Sequence, residues 1–230
     1  MEAEHSAHCG YVAFFAGSIE LLLLRKFMST DDAQIHHWFD TYQKPDGAIE
    51  VVAESLNPGQ NRALRDFLVN QIPSCYITSG DIEITMNNTG LSYPEVIQNK
   101  LPDVGSVMAG DFGEILTLFY LASGLDTRAN KIKKWRFKQD RRKPAPHSDV
   151  IVLFRESNNT SSNNDYVYCA EAKVKSTSSK GSPIENSIEG YELDKTGRLA
   201  RTLVWLKEKA IDSGDKDFLE YMKRFTEEHL

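Results

Sequence analysis

The chain has 230 residues, a hydrophobic content of 40% and a formal net charge of −6 at pH 7, so it can bury the core of one large domain or two small ones. It contains no run of about eighteen apolar residues, which excludes a membrane-spanning helix, and Glu2 and Glu4 do not suit a secretory signal, which begins with basic residues. The three cysteines are widely spaced and odd in number, which excludes a disulfide framework and a zinc site. We expect a cytoplasmic protein with no membrane contact.

The first part of the chain, residues 1–104, is predicted to be an acidic lobe that mixes helices and strands (α+β). Its apolar run at 17–28 is too short to assign to either kind of element. A hydroxyl cap followed by two acids at 29–32 predicts a helix that continues to Tyr42. A strand is predicted at 48–53.

A second helix in this lobe is predicted to begin near Pro58, to run to Ile72 and to be stopped by Pro73. Residues 75–85 contain two strand-like pieces, and the sequence Asn-Asn-Thr-Gly at 87–90 predicts a turn. No motif in the lobe indicates a particular chemistry. We therefore interpret it as a possible partner-binding region.

The composition changes near residue 105, which predicts a second domain at 105–230. Residues 1–105 carry 6 basic and 14 acidic side chains, whereas residues 106–230 carry 21 basic and 19 acidic ones. The acidic first part and the negative net charge argue against a free-standing, tight nucleic-acid binder.

The second domain is predicted to be a small α/β core with a central mixed sheet flanked by helices. Residues 150–154 are five apolar residues in a row, which is typical of a strand covered on both faces. Helical periodicity and strand patterns predict the other elements, which are a helix at 107–122 ended by Gly124, strands at 133–137 and 166–172, and helices at 193–211 and 215–228.

Three acids and a lysine lie at the ends of these elements. Glu114 is near the start of the first helix, Asp149 directly precedes one strand, and Glu171 and Lys173 end the next strand. Residues 171 and 173 project to the same face because side chains alternate along a strand. The pattern predicts that the four side chains meet in one pocket.

Such a pocket suits the hydrolysis of a phosphodiester. Mg²⁺ prefers hard oxygen ligands and is often held by one or two carboxylates. The bound ion neutralises charge on the phosphoryl group and activates a water molecule. Asp149 and Glu171 would hold Mg²⁺, or Mn²⁺, and Lys173 would orient the attacking water or stabilise the developing charge.

A basic strip at 128–143 contains nine basic side chains against Asp140 alone. Its members are Arg128, Lys131, Lys133, Lys134, Arg136, Lys138, Arg141, Arg142 and Lys143. The strip either contacts phosphates of DNA or is a solvated loop or edge strand, since edges often carry lysine. Phosphate contacts would carry no sequence specificity, and Arg198 and Arg201 could add to them.

The order of the acids resembles the PD-(D/E)xK, or restriction-endonuclease-like, nuclease superfamily. The resemblance covers residues from about 105 to 210 and implies a four-stranded mixed sheet flanked by helices. It makes Glu114, Asp149 and Glu171 metal-site acids and Lys173 the catalytic lysine. One departure is that many members place Pro or Gly immediately before the Asp, where this chain has His147 followed by a serine. His147 could contact the substrate or only shape the bend.

A narrower resemblance rests on the sequence Gly-Asp-Phe-Gly-Glu at 110–114, the acidic first lobe and the overall size. In these respects the chain is similar to the small nuclease subunit of Hachiman-type anti-phage systems, the HamA family. The resemblance implies a metal-dependent deoxyribonuclease that is the effector subunit of a defence complex with a helicase or other ATPase partner. The alternative is a non-catalytic adaptor on the same fold, which binds nucleic acid or a protein partner.

Overall fold

The computed structural model describes residues 7–15, 35–46, 49–126, 128–157, 160, 162–175 and 182–226. The predicted apolar element at 17–28 and the helix start at 29–32 lie outside these residues. The strands are β1 (Ala7–Phe15), β2 (Phe39–Asp46), β3 (Ile49–Leu56), β4 (Asn130–Lys131), β5 (Val150–Phe154) and β6 (Tyr166–Lys175). The helices are α1 (Asn61–Tyr76), α2 (Ser79–Thr89), α3 (Tyr93–Lys100), α4 (Ser106–Ser123), α5 (Pro183–Leu193), α6 (Leu199–Ser213) and α7 (Lys216–Thr226).

The main sheet has the strand order β1-β6-β5-β4, and a separate hairpin pairs β2 with β3. β1 runs parallel to β6, whereas β6 with β5 and β5 with β4 are antiparallel. The sheet is therefore mixed and the fold is α+β. It draws β1 from the predicted N-terminal lobe, so it extends across the boundary at residue 105, and the division into two functional regions stays a prediction.

The strand β5 lies at the centre of the molecule, and all five of its residues are buried. Val150, Val152 and Phe154 pack in one core with residues of α4, and Ile151 and Leu153 pack in a second core with residues of α6 and α7. The prediction of a strand covered on both faces is confirmed. Among the described residues, no helix has the length and apolar character needed to cross a bilayer.

The helix α4 lies directly on the sheet, and the predicted helix at 107–122 is confirmed. A Cβ added at Gly113 would collide with Cγ2 of Val174 in β6. Glycine at this position therefore allows the helix backbone to approach the strand closely. This contact fixes the position of Glu114, the next residue.

The predicted helix from 29 to Tyr42 is wrong where the structure describes it. Residues 35–38 form one 3₁₀ turn, and Phe39–Asp46 is the strand β2, paired with β3. A short helical pattern is marginal without tertiary packing, and aromatic residues such as Phe39 and Tyr42 suit a strand equally well. The strand predicted at 48–53 is confirmed by β3.

Two further predictions in the first lobe are wrong. Pro73 does not stop α1, which continues for one more turn and buries Cys75 and Tyr76. The strand-like pieces at 75–85 belong in part to α2, whose first turn is capped by Thr78 Oγ1 accepting from Asp81 N at 3.1 Å. The predicted turn at 87–90 is the last turn of α2, which ends at Gly90 in the left-handed conformation.

In the second domain, three boundaries differ from the prediction. Lys134–Phe137 is a 3₁₀ turn and not a strand. β6 continues to Lys175 because β1 pairs with it along its length, so Glu171 and Lys173 are inside the strand. The helix predicted at 193–211 is interrupted by a kink at Asp194–Arg198, where Gly197 has φ 121°. The final helix is confirmed by α7.

Candidate functional site

Asp149 and Glu171 are neighbours across the β5–β6 pair. The antiparallel pairing of Val150 with Ala170 places the preceding residue, Asp149, opposite Glu171. The backbone N–H of Ala172 donates to Asp149 Oδ2 at 3.0 Å, which fixes the orientation of this carboxylate.

The ammonium group of Lys173 bridges the two carboxylates. Its Nζ donates to Glu171 Oε1 and lies 3.5 Å from Asp149 Oδ2. The structure thus brings together three of the four residues that the sequence singled out, and a positive charge occupies the position between the two acids.

Glu171 is only 3% exposed, and a second cation holds its other oxygen. Arg198 Nη2 donates to Glu171 Oε2. A Cβ at Gly190 would collide with the Glu171 carboxyl group, so α5 can approach only because this residue is glycine. Burial raises the pKa of Glu171 and the charge of Asp149 raises it further, while Lys173 and Arg198 act in the opposite direction.

Glu114 reaches the same region from α4 and is 8% exposed. Its Oε2 lies 3.1 Å from Lys134 Nζ, but the approach lacks hydrogen-bond geometry, so this buried oxygen keeps an unfilled acceptor position. Burial raises the pKa of Glu114 to about 7; Lys134 lowers it and the charge of Asp149 raises it. The field of Asp149 therefore acts on both Glu114 and Glu171.

A buried hydrogen-bond network that the sequence analysis missed holds these acids in position. Asp194 accepts from Arg198 Nε at 2.7 Å and from Ser148 Oγ at 2.6 Å. Ser148 Oγ also lies 2.9 Å from Thr202 Oγ1. The hydrogen bond from Arg198 to Asp194 is the main cause that raises the pKa of Arg198. The network joins the turn before Asp149 to the cation that holds Glu171.

One signal in the sequence points to this network. Asp194 and Arg198 are four residues apart, the spacing at which oppositely charged side chains meet on a helix. The prediction placed Arg198 on DNA because it followed the acidic motif. In the structure its guanidinium is directed inwards, against Glu171, Asp194 and the carbonyl of Gly190.

Comparison with models of protein families confirms the narrower family resemblance that the sequence suggested. The model of the HamA family matches residues 29–229, nearly the whole chain. The chain belongs to the HamA family. Membership of this family indicates a role in anti-phage defence. A search of curated proteins and a search of solved structures each found no match.

Several basic side chains of this HamA-family chain that were predicted to contact DNA hold the fold together instead. Lys134 is 1% exposed and donates to Ser148 O at 2.7 Å. Lys138 is buried in an ion pair with Asp111 at 2.8 Å. Lys133 Nζ and the Arg136 guanidinium both bind Ser74 of α1, at 2.6 Å from its Oγ and from its carbonyl oxygen respectively.

The rest of the strip lies nearer to solvent. Arg128 pairs with Asp126, Arg141 with Asp103 and Arg142 with Asp140. Within the described part of the chain, the side chains of Lys131 and Lys143 form no hydrogen bond or ion pair. Arg136, Lys138, Arg141 and Arg142 line an open groove of about 710 Å³ together with Lys100. Asp103 and Asp140 line the same groove and pair with Arg141 and Arg142.

The oxygen atoms of the acids of the centre suit a hard cation, but the acids already form ion pairs with basic side chains of the chain. Their donors are carboxylate oxygens, which Mg²⁺ prefers, and one of them, Glu114 Oε2, is buried without a hydrogen bond. Among the described residues, no three acidic, histidine or cysteine side chains have the spacing of a metal site. The ammonium group of Lys173 supplies the positive charge between Asp149 and Glu171.

Proposed function

We propose that this HamA-family protein is a metal-dependent nuclease with a restriction-endonuclease-like core. The observation that carries the proposal is the bridging position of Lys173 between Asp149 and Glu171, which two paired strands hold opposite each other. Two facing carboxylates with a lysine on the same strand face form a compact site for a cation and a phosphodiester.

The residues have distinct roles in this proposal. Asp149 and Glu171 would hold Mg²⁺, or Mn²⁺, and Glu114 would contribute through its unfilled oxygen. The bound ion would neutralise charge on the phosphoryl group and supply an activated water. Lys173 would leave its bridging position and place its positive charge on the phosphoryl oxygens as charge develops there.

The proposed substrate is DNA, and the proposed context is a cytoplasmic defence complex in which this chain is the effector subunit and a helicase or other ATPase is the partner. The open groove lined by the basic strip supports contact with a phosphate backbone. The net charge of −6 supports a need for a partner, since an acidic protein gains little from long-range attraction to DNA.

We expect Lys173→Ala to reduce DNA cleavage by at least about a hundredfold, because removing one group that stabilises transition-state charge costs about that much. The assay follows degradation of plasmid and single-stranded DNA with Mg²⁺, with and without the partner ATPase. Lys216→Ala is the matched control because Lys216 is an exposed lysine on α7. Cleavage that persists unchanged in folded Lys173→Ala would contradict the proposal.

A second candidate function is a non-catalytic adaptor on the same fold. The observation that favours it is that both oxygens of Glu171 are bound by cations of the chain itself, Lys173 and Arg198. Titration of the wild-type protein with Mg²⁺ and Mn²⁺ in a calorimeter separates the two functions. Binding that Glu171→Gln abolishes supports the nuclease, and absence of binding supports the adaptor.

A further inference from the structure

A pocket of about 350 Å³ lies beside the acidic centre, between α6, α7 and the turn that leads into β5. His147, Trp205 and Phe225 line it, and Phe137 lies beside it. The ring centroids of His147 and Trp205 are 4.9 Å apart, and their planes are tilted by 46°. Phe137 packs edge-on against Trp205, with centroids 5.7 Å apart. The pocket therefore offers an aromatic surface that another flat ring can contact.

The position of His147 is fixed although its backbone conformation is unfavourable. It has φ 72°, in the left-handed region that non-glycine residues rarely adopt. Ser148, the next residue, is held by a hydrogen bond from its N–H to Thr202 Oγ1 at 3.2 Å and by Lys134 at its carbonyl. Strained residues of this kind concentrate at functional sites, and here the imidazole ring lies against Trp205.

The pocket and the acidic centre share the helix α6. Thr202 binds the serine beside Asp149, and Trp205 follows less than one helical turn later. His147 lines the pocket and is two residues from Asp149. Two residues of chain span at most about 7 Å, a distance that neighbouring nucleotides of one strand can span. A strand with a phosphate at Asp149 would therefore bring an adjacent base to the pocket.

The charges in the pocket are suited to a nucleotide. The side chain of Arg201 is exposed and, within the described residues, forms no hydrogen bond or ion pair, and it lies close to Gly197 in the kink that carries Arg198. Glu208, two turns further along the helix from Arg201, lines the same pocket. Arg201 can bind a phosphate, while Glu208 repels phosphate and can accept a hydrogen bond from an amino group of a base.

We propose that the pocket formed by His147 and Trp205 binds one unpaired nucleobase of the strand whose phosphate lies at the acidic centre. The bases of a duplex are stacked and paired, so the protein acts on single-stranded or locally unpaired DNA. Stacking of bases on aromatic side chains beside a cation is the usual mode of single-strand binding. This inference rests on the proposed nuclease function, because that function places a phosphate at Asp149.

The test measures binding without cleavage. The full chain carrying Lys173→Ala is titrated at low salt against fluorescein-labelled single-stranded DNA, against the same oligonucleotide made abasic throughout, and against a blunt duplex. His147→Asn removes the ring, while asparagine tolerates the left-handed conformation. Lys216→Ala is the control, and thermal unfolding shows that each variant folds.

We expect the Lys173→Ala protein, without a further substitution, to bind ordinary single strands more tightly than abasic strands or duplex. His147→Asn should weaken binding to the ordinary strand by about 5- to 100-fold, the range for loss of one base stack. It should change binding to the abasic strand less than about twofold, since that strand has no base to stack.

Several results would overturn the inference. They are equal affinity for ordinary and abasic strands, equal affinity for duplex, no measurable binding to the single strand, or an effect of His147→Asn that is the same on both strands. If His147→Asn changes only the binding of the protein partner, the pocket binds a protein, and the inference is overturned as well. Failure of the nuclease proposal is distinguishable, because it appears as base-dependent binding without Mg²⁺-dependent cleavage by the wild-type protein.

Discussion

At the scale of single residues, the centre is a set of buried charges in which each acid is matched by a cation. Arg198 contacts both Glu171 and Asp194, whose side chains are 3% and 0% exposed. Removing one partner of a buried pair leaves an uncompensated charge, which costs more than the pair itself contributes. Arg198 therefore acts on Glu171 as a positioning residue.

We expect Arg198→Met to lower the free energy of unfolding by about 3–5 kcal/mol, because it leaves buried Asp194 without a cation and buried Glu171 with Lys173 alone. The double variant with Arg198→Met and Asp194→Asn should lose less stability than the two single variants lose in sum, by about 1 kcal/mol or more. Urea denaturation of the wild-type protein, the two single variants and the double variant measures this coupling.

The surface pair Lys209 and Asp212, with Nζ and Oδ2 at 2.6 Å, is the matched control for that cycle. Asp212 is largely exposed and Lys209 is partly exposed, so the pair should show coupling of about 0.5 kcal/mol or less. Additive costs for Arg198→Met and Asp194→Asn would show that the network does not act as a unit.

At the scale of elements, α4 and α5 approach β6 through glycines. Gly113 meets Val174, and Gly190 meets the carboxyl group of Glu171. Val174 and Glu171 lie on opposite faces of β6, since side chains alternate along a strand. The strand that carries Glu171 and Lys173 is thus held between two helix backbones, which limits how far its side chains can move.

We expect Gly113→Ala to destabilise the protein by about 1–3 kcal/mol, because the added methyl group collides with Val174 in a packed core. Gly110→Ala in the same helix meets nothing within 4 Å and should be neutral or stabilising by up to about 1 kcal/mol, since alanine favours the helix. Thermal or urea unfolding of the two variants measures the contrast. Equal effects would argue against the close contact of α4 with β6.

The elements that the sequence predicted well are those with continuous apolar patterns. β5 and α4 fill the core, and burial leaves few alternatives to strand and helix for them. The kink at Asp194–Arg198 could not be predicted, because its residues fit the periodicity of one long helix. Lys134 was assigned to a solvent-exposed strip because charge in the sequence does not reveal that its ammonium group lies beside buried Glu114.

At the scale of the whole molecule, the main sheet depends on a strand from the far end of the chain. β1 pairs with β6 in parallel from Ala7 with Val167 to Phe15 with Lys175. Nothing in a local pattern predicts such a pairing, because it joins residues about 160 positions apart. The predicted boundary at residue 105 followed charge composition, which does not report strand pairing.

We expect a truncated chain that begins at residue 105 to be insoluble or only partly folded. It would lack β1, and the unpaired edge of β6 would be open to association with other chains. Circular dichroism and sedimentation of the truncated and full-length proteins measure this. A soluble, cooperatively folding fragment would show that the second domain is independent of β1.

The β1–β6 pairing also sets the order of events during synthesis. β1 leaves the ribosome early, but its partner follows about 150 residues later, which takes about 10–30 s at about 5–20 residues per second. Arg198 is made later still. The proposed cutting centre is therefore assembled only after Arg198 has been made, so a ribosome that stalls before this residue releases a fragment without the centre.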